Sequence, residues 1–250
     1  MSHPDRLEVA QLGLPDETRA CLFDLDGVLT QTLPVHKKAW KETFDPLLDR
    51  AGQPPFSDDD YLRYVDGKRR ADGVRDFLAS RGLDYLEGKP EDPPESDTVA
   101  GIATRKNQLV LDVMEKQGVE VYDGSVSFLH LARDAGLAIG VVTASANGER
   151  ALEMAGLADL VDVRIDGVVA DREGLRGKPA PDTFLAAAEA LGVEPARAAV
   201  FEDALSGVVA GRAGDFGLVV GVDRGGNGEA LKEQGADVVV TDLTQLLDVR

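Results

Sequence analysis

Two aspartates that stand two residues apart are the part of this chain whose spacing points most directly to chemistry. Asp24 and Asp26 follow the apolar run 20–23, and Gly27 then lets the chain turn sharply. At the end of a strand, one carboxylate can attack an electrophile while its neighbour exchanges a proton with the leaving group. An Asp-x-Asp pattern is common by chance, so its meaning depends on partners elsewhere in the chain.

Three downstream segments supply such partners. Residues 140–145 (GVVTAS) are an apolar run that ends in hydroxyls, residues 177–182 (GKPAPD) place a lysine just before a predicted helix, and residues 199–203 (AVFED) end an apolar run in two acids. In open α/β sheets, ligands bind at the carboxyl ends of strands and the amino ends of helices. This ordered set predicts the transfer of a phosphoryl group from a dianion.

Together these motifs resemble those of the haloacid dehalogenase superfamily, over about residues 20–247, and within it the β-phosphoglucomutase-like branch. The likeness extends to Thr32, His36 and Trp40 after the first motif and to Ala146-Asn147 after the second. The resemblance implies an α/β fold, a Rossmann-like parallel sheet core with an all-helical cap domain inserted after the first strand.

The two aspartates of the first motif are predicted to share the chemistry. Asp24 is the nucleophile that takes up the phosphoryl group as an aspartyl phosphate, which divides one difficult displacement into two easier ones. Asp26 protonates the leaving oxygen and deprotonates the next acceptor. Because dehalogenases expel a halide and use no acid at this position, Asp26 favours phosphoryl transfer over dehalogenation.

The acids of the first and last motifs also predict a metal site. Asp24, Asp26, Glu202 and Asp203 would repel one another without a cation, and an all-oxygen site beside a phosphate favours Mg²⁺. Neighbouring side chains on a strand are not expected to face the ion equally, which makes Asp203 the more direct ligand.

Further residues are predicted to bind the substrate. Thr143 and the amide of Ala144 bind oxygens of the transferred phosphate, and Lys178 offsets its charge as a point charge. By resemblance, the phosphate that is not transferred would be held by residues of three segments: Ser145 and Asn147, Arg70 with Gly67 in the adjoining loop, and Lys106. His36 and Thr32 would couple closure of the cap to the proton state of Asp26. An ordinary basic patch and a core histidine remain the alternative.

The resemblance implies a sugar phosphate as substrate and the interconversion of β-glucose 1-phosphate and glucose 6-phosphate. A sugar-phosphate phosphatase with the same acids remains an alternative. Gln31 stands where such mutases usually carry an acidic residue, and Ala146 stands where a basic residue is expected. A sugar-phosphate-binding regulator without catalysis is the third reading, but binding alone needs no nucleophile.

Composition limits the other classes of function. The chain has 250 residues, 43% hydrophobic, with 27 basic and 45 acidic side chains and a net charge of −18. This charge disfavours nucleic acid and anionic membranes as partners. A single cysteine, Cys21, and no apolar signal segment lead us to expect a cytoplasmic protein, and we expect a monomer.

The elements that must position these residues form two patterns. Residues 32–118 show helical patterns only, over 35–50, from Ser57, over 74–79 and over 109–114, with 105–107 opening the last helix. From 121 onward, strands and helices alternate, which is typical of a parallel sheet covered on both faces. The predicted domains are therefore 1–31 with 119–250 as the α/β core and 32–118 as the helical cap.

Overall fold

The computed structural model describes residues 7–248, which divide into two compact units. The first, here called the core unit, comprises the described residues up to Gln31 and those from Glu120 onward. The second, the helical unit, spans Thr32–Val119. Of the described residues, none lies in a helix long and apolar enough to cross a lipid bilayer.

The core unit is built on six parallel strands, in the order β3-β2-β1-β4-β5-β6. The strands are β1 (Ala20–Phe23), β2 (Ala138–Val142), β3 (Val163–Ile165), β4 (Ala198–Glu202), β5 (Leu218–Val222) and β6 (Val238–Val240). The helices of the whole described chain are α1 (Leu33–Arg50), α2 (Asp58–Asp60), α3 (Arg70–Ser80), α4 (Val99–Gln117), α5 (Asp123–Asp134), α6 (Gly148–Met154), α7 (Gly167–Glu173), α8 (Asp182–Ala190), α9 (Leu205–Ala213) and α10 (Gly228–Glu233). The predicted Rossmann-like parallel sheet is confirmed.

The central strands explain why the first and last motifs read as apolar runs. Every residue of β1 and β4 is buried, as expected for strands that are covered on both faces of a parallel sheet. Phe23 stacks on Phe201 with ring centroids 4.5 Å apart, so side-chain packing joins β1 and β4 in addition to their backbone hydrogen bonds. Burying such rings is a large part of the stabilisation of a core of this kind.

The register of the sheet brings the motifs to one edge. Phe23 lies opposite Val141 of β2 and Phe201 of β4. The amide of Asp24 continues the ladder and donates to the carbonyl oxygen of Phe201 at 2.9 Å. The residues that follow these three strands therefore start at the same level of the sheet, where open α/β sheets bind ligands.

Two elements of the core unit escaped the sequence analysis, and one boundary in the helical unit was predicted wrongly. Strand β3 is three residues long at the sheet edge with a charged centre, Arg164, so it lacks an apolar run, and α7 directly after it was missed with it. Helix α4 begins at Val99, where Thr98 Oγ1 accepts from the amide of Gly101 at 3.0 Å. Residues 105–107 thus lie inside the helix and do not open it.

The helical unit has its own apolar core, in which aromatic rings from two of its helices meet. Trp40 and Phe44 of α1 stack with centroids 5.2 Å apart, and Phe77 of α3 lies 4.2 Å from Phe44. Trp40 is 3% exposed, which makes it a packing residue. Ser57 caps α2 by accepting from the amide of Asp60, as predicted. A wider, π-helical turn, Tyr61–Val65, continues α2.

Candidate active site

Asp24 lies directly after β1, in the middle of the sheet, and is almost completely buried. The residue is 6% exposed, and Lys178 Nζ lies 2.5 Å from its Oδ1. Burial raises the pKa of the Asp24 carboxyl well above its ordinary value; Lys178 opposes this rise, while Glu202 and Asp26 add to it. A positive neighbour is therefore needed to keep a nucleophilic carboxylate ionised here.

Lys178 supplies that charge from the segment before α8. Its ammonium also donates to the carbonyl oxygen of Val142 at 3.1 Å and pairs with the carboxylate of Glu202. Burial disfavours the charged ammonium, but the carboxylates of Asp24 and Glu202 outweigh burial and raise the pKa of Lys178. Lys178 is thus a permanent cation that bridges the ends of β1 and β4.

Three acids form a group that could hold a metal ion. Asp24, Glu202 and Asp203 each offer a carboxylate oxygen, and these oxygens all lie within 4.8 Å of one another. All three side chains are buried. Both neighbouring acids reach the group, contrary to the expectation for a strand, because Glu202 is the last residue of β4 and the chain turns after it.

The charge and chemistry of this group fit a hard divalent cation. Three buried carboxylates face one ammonium, so the group carries an excess of negative charge that a cation would neutralise. Oxygen donors are those that Mg²⁺ and Ca²⁺ prefer. Among residues 7–248 the Asp26 carboxylate, predicted as a fourth ligand, does not join the group.

Asp26 instead faces the loop that follows β2. Thr143 Oγ1 donates to Asp26 Oδ2 at 3.4 Å and accepts from the amide of Ser145 at 3.1 Å. Ser145 Oγ in turn accepts from the amide of Asn147 at 3.2 Å. Hydrogen bonds thus connect Asp26 to the segment predicted to bind phosphate, which also contains Ala144.

Comparisons with known proteins show the family of the chain. The family model described as "haloacid dehalogenase-like hydrolase" matches residues 18–215. The β-phosphoglucomutases of Mycobacterium bovis and Mycobacterium tuberculosis are each 52% identical to this chain over 246 residues, 94% of either sequence. The chain belongs to the haloacid dehalogenase-like hydrolases.

Other relatives of this family are similar over most of their length. Validoxylamine A 7'-phosphate phosphatase of Streptomyces hygroscopicus subsp. limoneus is 34% identical over 231 residues, which cover 91% of this chain and 95% of the relative. The crystal structure of β-phosphoglucomutase from Clostridium difficile superposes with a TM-score of 0.75 at 26% identity, covering 92% and 93% of the two chains. The relatives of this chain therefore include both mutases and phosphatases.

The predicted site residues of the helical unit form two local clusters. In the first, the half-buried Arg70 begins α3 and its Nη1 donates to Asn107 Oδ1 of α4 at 2.5 Å. Its buried Nε has no hydrogen-bond partner, and among the described residues Arg70 makes no ion pair. Burial lowers the pKa of this guanidinium. A buried guanidinium without an ion-pair partner favours an anion as partner.

Gly67, the other predicted residue of this segment, lies just before α3 and has a left-handed backbone conformation with φ 65°.

In the second cluster, Lys106 of α4 is buried and meets His36 of α1. Its Nζ lies 2.9 Å from His36 Nδ1 and 4.9 Å from the ring centroid of Trp40. Lys106 and His36 are therefore one pair, whereas Arg70 belongs to the neighbouring cluster.

Two residues that support the site were not predicted from the sequence. A Cβ at Gly207 of α9 would overlap the carboxylate of Glu202, so only glycine lets Glu202 lie against this helix. Asp166 is buried and accepts from the amide of Val169, and the next residue, Gly167, donates to the carbonyl oxygen of Ser145 at 3.0 Å. Both residues support the site through contacts between segments that are distant in the sequence, so no local sequence pattern indicates them.

Proposed function

We propose that this chain is a Mg²⁺-dependent phosphomutase that interconverts β-glucose 1-phosphate and glucose 6-phosphate through a sugar bisphosphate. The observation that supports it most is the buried contact of Asp24 with Lys178 beside Glu202 and Asp203. The identity of 52% to mycobacterial β-phosphoglucomutases supports the choice of substrate.

In the proposed reaction, Asp24 attacks phosphorus, the bond from phosphorus to the leaving oxygen breaks, and an aspartyl phosphate forms. Asp26 gives its proton to the leaving oxygen, and in the second half it accepts the proton of the attacking hydroxyl. Lys178 holds Asp24 in place and offsets the charge that builds on the phosphoryl oxygens. Thr143 and the amide of Ala144 bind those oxygens.

The residues that would hold Mg²⁺ are Asp24, Asp203 and Glu202, with Glu202 also paired to Lys178. When bound, Mg²⁺ neutralises charge on the transferred group. We assign Asp26 to proton transfer and not to side-chain ligation, because its carboxylate faces Thr143.

The helical unit is proposed to act as the cap that excludes water from the aspartyl phosphate, which would otherwise hydrolyse. Its insertion directly after the segment that carries Asp24 and Asp26 supports this role. Arg70 and Lys106, together with Ser145 and Asn147, are the proposed partners of the phosphate that is not transferred.

A sugar-phosphate phosphatase is the second candidate, supported by the phosphatase relative and by Ala146 at a position where we expect a base. Such an enzyme would use Asp24 and Asp26 in the same way but would let water attack the aspartyl phosphate.

Phosphorus NMR distinguishes the two. β-Glucose 1-phosphate is incubated with the enzyme, Mg²⁺ and a trace of the bisphosphate. We expect the resonance of glucose 6-phosphate to appear. Inorganic phosphate as the sole product would establish the phosphatase, and an unchanged spectrum would contradict both proposals.

The Arg70→Ala variant tests the second phosphate site. Losing a charge-assisted hydrogen bond to phosphate should lower the mutase rate about 10- to 100-fold. Hydrolysis of p-nitrophenyl phosphate, which has a single phosphate, should stay close to wild type. The matched control is Arg63→Ala, whose arginine is exposed and pairs with Asp59 four residues away. Equal losses on both substrates would remove Arg70 from this role.

A further inference from the structure

The loop between β5 and α10 contains an arginine that no motif of the family resemblance includes. Arg224 reaches back to the segment that follows Asp26: its Nε donates to the carbonyl oxygen of Gly27 at 2.9 Å, and its Nη2 lies 3.4 Å from that of Val28. Its Nη1 donates to the carbonyl oxygen of Thr241 at 2.6 Å. One side chain therefore joins the segment after β1 to the segment after β6.

The guanidinium of Arg224 is itself held in a fixed orientation. Its Cζ lies 3.5 Å from the ring centroid of Tyr122, and its Nη2 also donates to Ser125 Oγ at 3.2 Å. A guanidinium is planar and presents its donors in a rigid fork. Its contacts with several carbonyls therefore fix the relative positions of the segments that carry them.

The loop that carries Arg224 is rigid as well. The carboxylate of Asp223 accepts from four successive backbone amides, at distances of 2.6 to 3.2 Å. Those amides belong to Gly225, Gly226, Asn227 and Gly228. In addition, Asn227 Nδ2 lies 3.5 Å from the carbonyl oxygen of Asp203, so this loop touches the segments of both acid motifs.

The carbonyls that Arg224 holds come directly after the predicted acid–base residue. Gly27 has φ 89°, a conformation that favours glycine, and its amide donates to the carbonyl oxygen of Thr30 at 2.9 Å. This tight turn fixes the direction of the backbone at Asp26. Displacing a catalytic group by about 1 Å can cost about 100-fold in rate.

We propose that Arg224 is a positioning residue that holds the segment after β1 so that Asp26 meets the leaving oxygen. This inference rests on the proposed function of Asp26 and adds a residue to it. In this role Arg224 differs from an ordinary surface arginine, because it affects the reaction only through the position of Asp26. A residue that only supports the fold would affect every reaction of the enzyme alike.

The test is a double-mutant cycle with Arg224→Ala and Asp26→Ala. In the wild-type background, Arg224→Ala should lower kcat on β-glucose 1-phosphate about 100-fold, with KM nearly unchanged. The first-turnover burst of p-nitrophenolate from p-nitrophenyl phosphate, which reports only the first half of the reaction, should change little, because this leaving group departs without a proton. In the Asp26→Ala background, the added loss on the sugar phosphate should be at most about threefold, because Arg224 then has no Asp26 carboxylate to position.

Two further variants keep the test decisive. Arg224→Lys retains the charge but not the fork, and should show the same selective loss at about tenfold if Arg224→Ala does not fold. Arg212→Ala, which removes an exposed arginine paired with Asp237 in the same unit, should leave both substrates unaffected.

An equal loss on both substrates, or a full loss in the Asp26→Ala background, would overturn the proposal. If NMR shows hydrolysis and not isomerisation, the same contrast is measured in the first turnover, as sugar released from the sugar phosphate and p-nitrophenolate released from the aryl ester. Failure of the mutase assignment therefore leaves this test intact.

Discussion

Asp24→Asn should abolish turnover while the protein stays folded. An amide has nearly the shape of the carboxylate but cannot form the acyl phosphate, so we expect a loss of about 10⁴-fold or more. Stability should be maintained or rise, because Lys178 keeps Glu202 as its partner and one buried negative charge, whose pKa burial raises, is removed.

The measurement is intact-protein mass spectrometry of acid-quenched enzyme together with the turnover rate. Wild type should carry one phosphoryl group, and Asp24→Asn none. Asp134→Asn, an exposed aspartate at the end of α5, is the matched control and should behave as wild type. Asp24→Asn turnover within tenfold of wild type would exclude Asp24 as the nucleophile.

Lys178→Met should damage both stability and activity. The methionine keeps an unbranched side chain of similar length but leaves the carboxylates of Asp24 and Glu202 buried without their shared cation. Removing one partner of a buried ion pair costs about 3–5 kcal/mol. Activity should fall with it, because Asp24 loses the charge that keeps it ionised.

Denaturant unfolding with and without Mg²⁺ measures this effect. The ion should recover part of the lost stability, because it supplies positive charge beside the same oxygens. The double variant Lys178→Met/Glu202→Gln removes one of the stranded charges and should be more stable than the single variant. Lys232→Met, at an exposed lysine of α10, is the control. If Lys178→Met were as stable and as active as wild type, the bridging role of Lys178 would be wrong.

The sequence predicted the sheet best where its strands are most buried. Strands β1 and β4 are covered on both faces, so they appear as apolar runs, and the acids after them mark the carboxyl ends. Strand β3 lies at the edge and has Arg164 at its centre, so its pattern is too short and too polar to be found. Helix α4 was predicted too short because its first turn contains Gly101, a residue that disfavours helix interiors.

Within the site, the sequence indicated which residues carry the chemistry but not how they pair. Asp24, Lys178 and Glu202 each stand beside a recognisable strand or helix boundary, so their presence at one edge of the sheet could be predicted. That Lys178 bridges the other two, and that Asp26 faces Thr143 outside the acid group, depends on register and side-chain direction. Local patterns contain neither.

By itself, then, the sequence determined the parallel sheet and the order of functional groups along its carboxyl edge. Buried strands appear as apolar runs, and the polar residues directly after them mark the strand ends. Only the tertiary structure decided the supporting contacts. Gly207 makes room for Glu202 on another element, and Arg224 binds a carbonyl 197 residues away along the chain. Such contacts depend on how separate elements pack, and no short stretch of sequence records that packing.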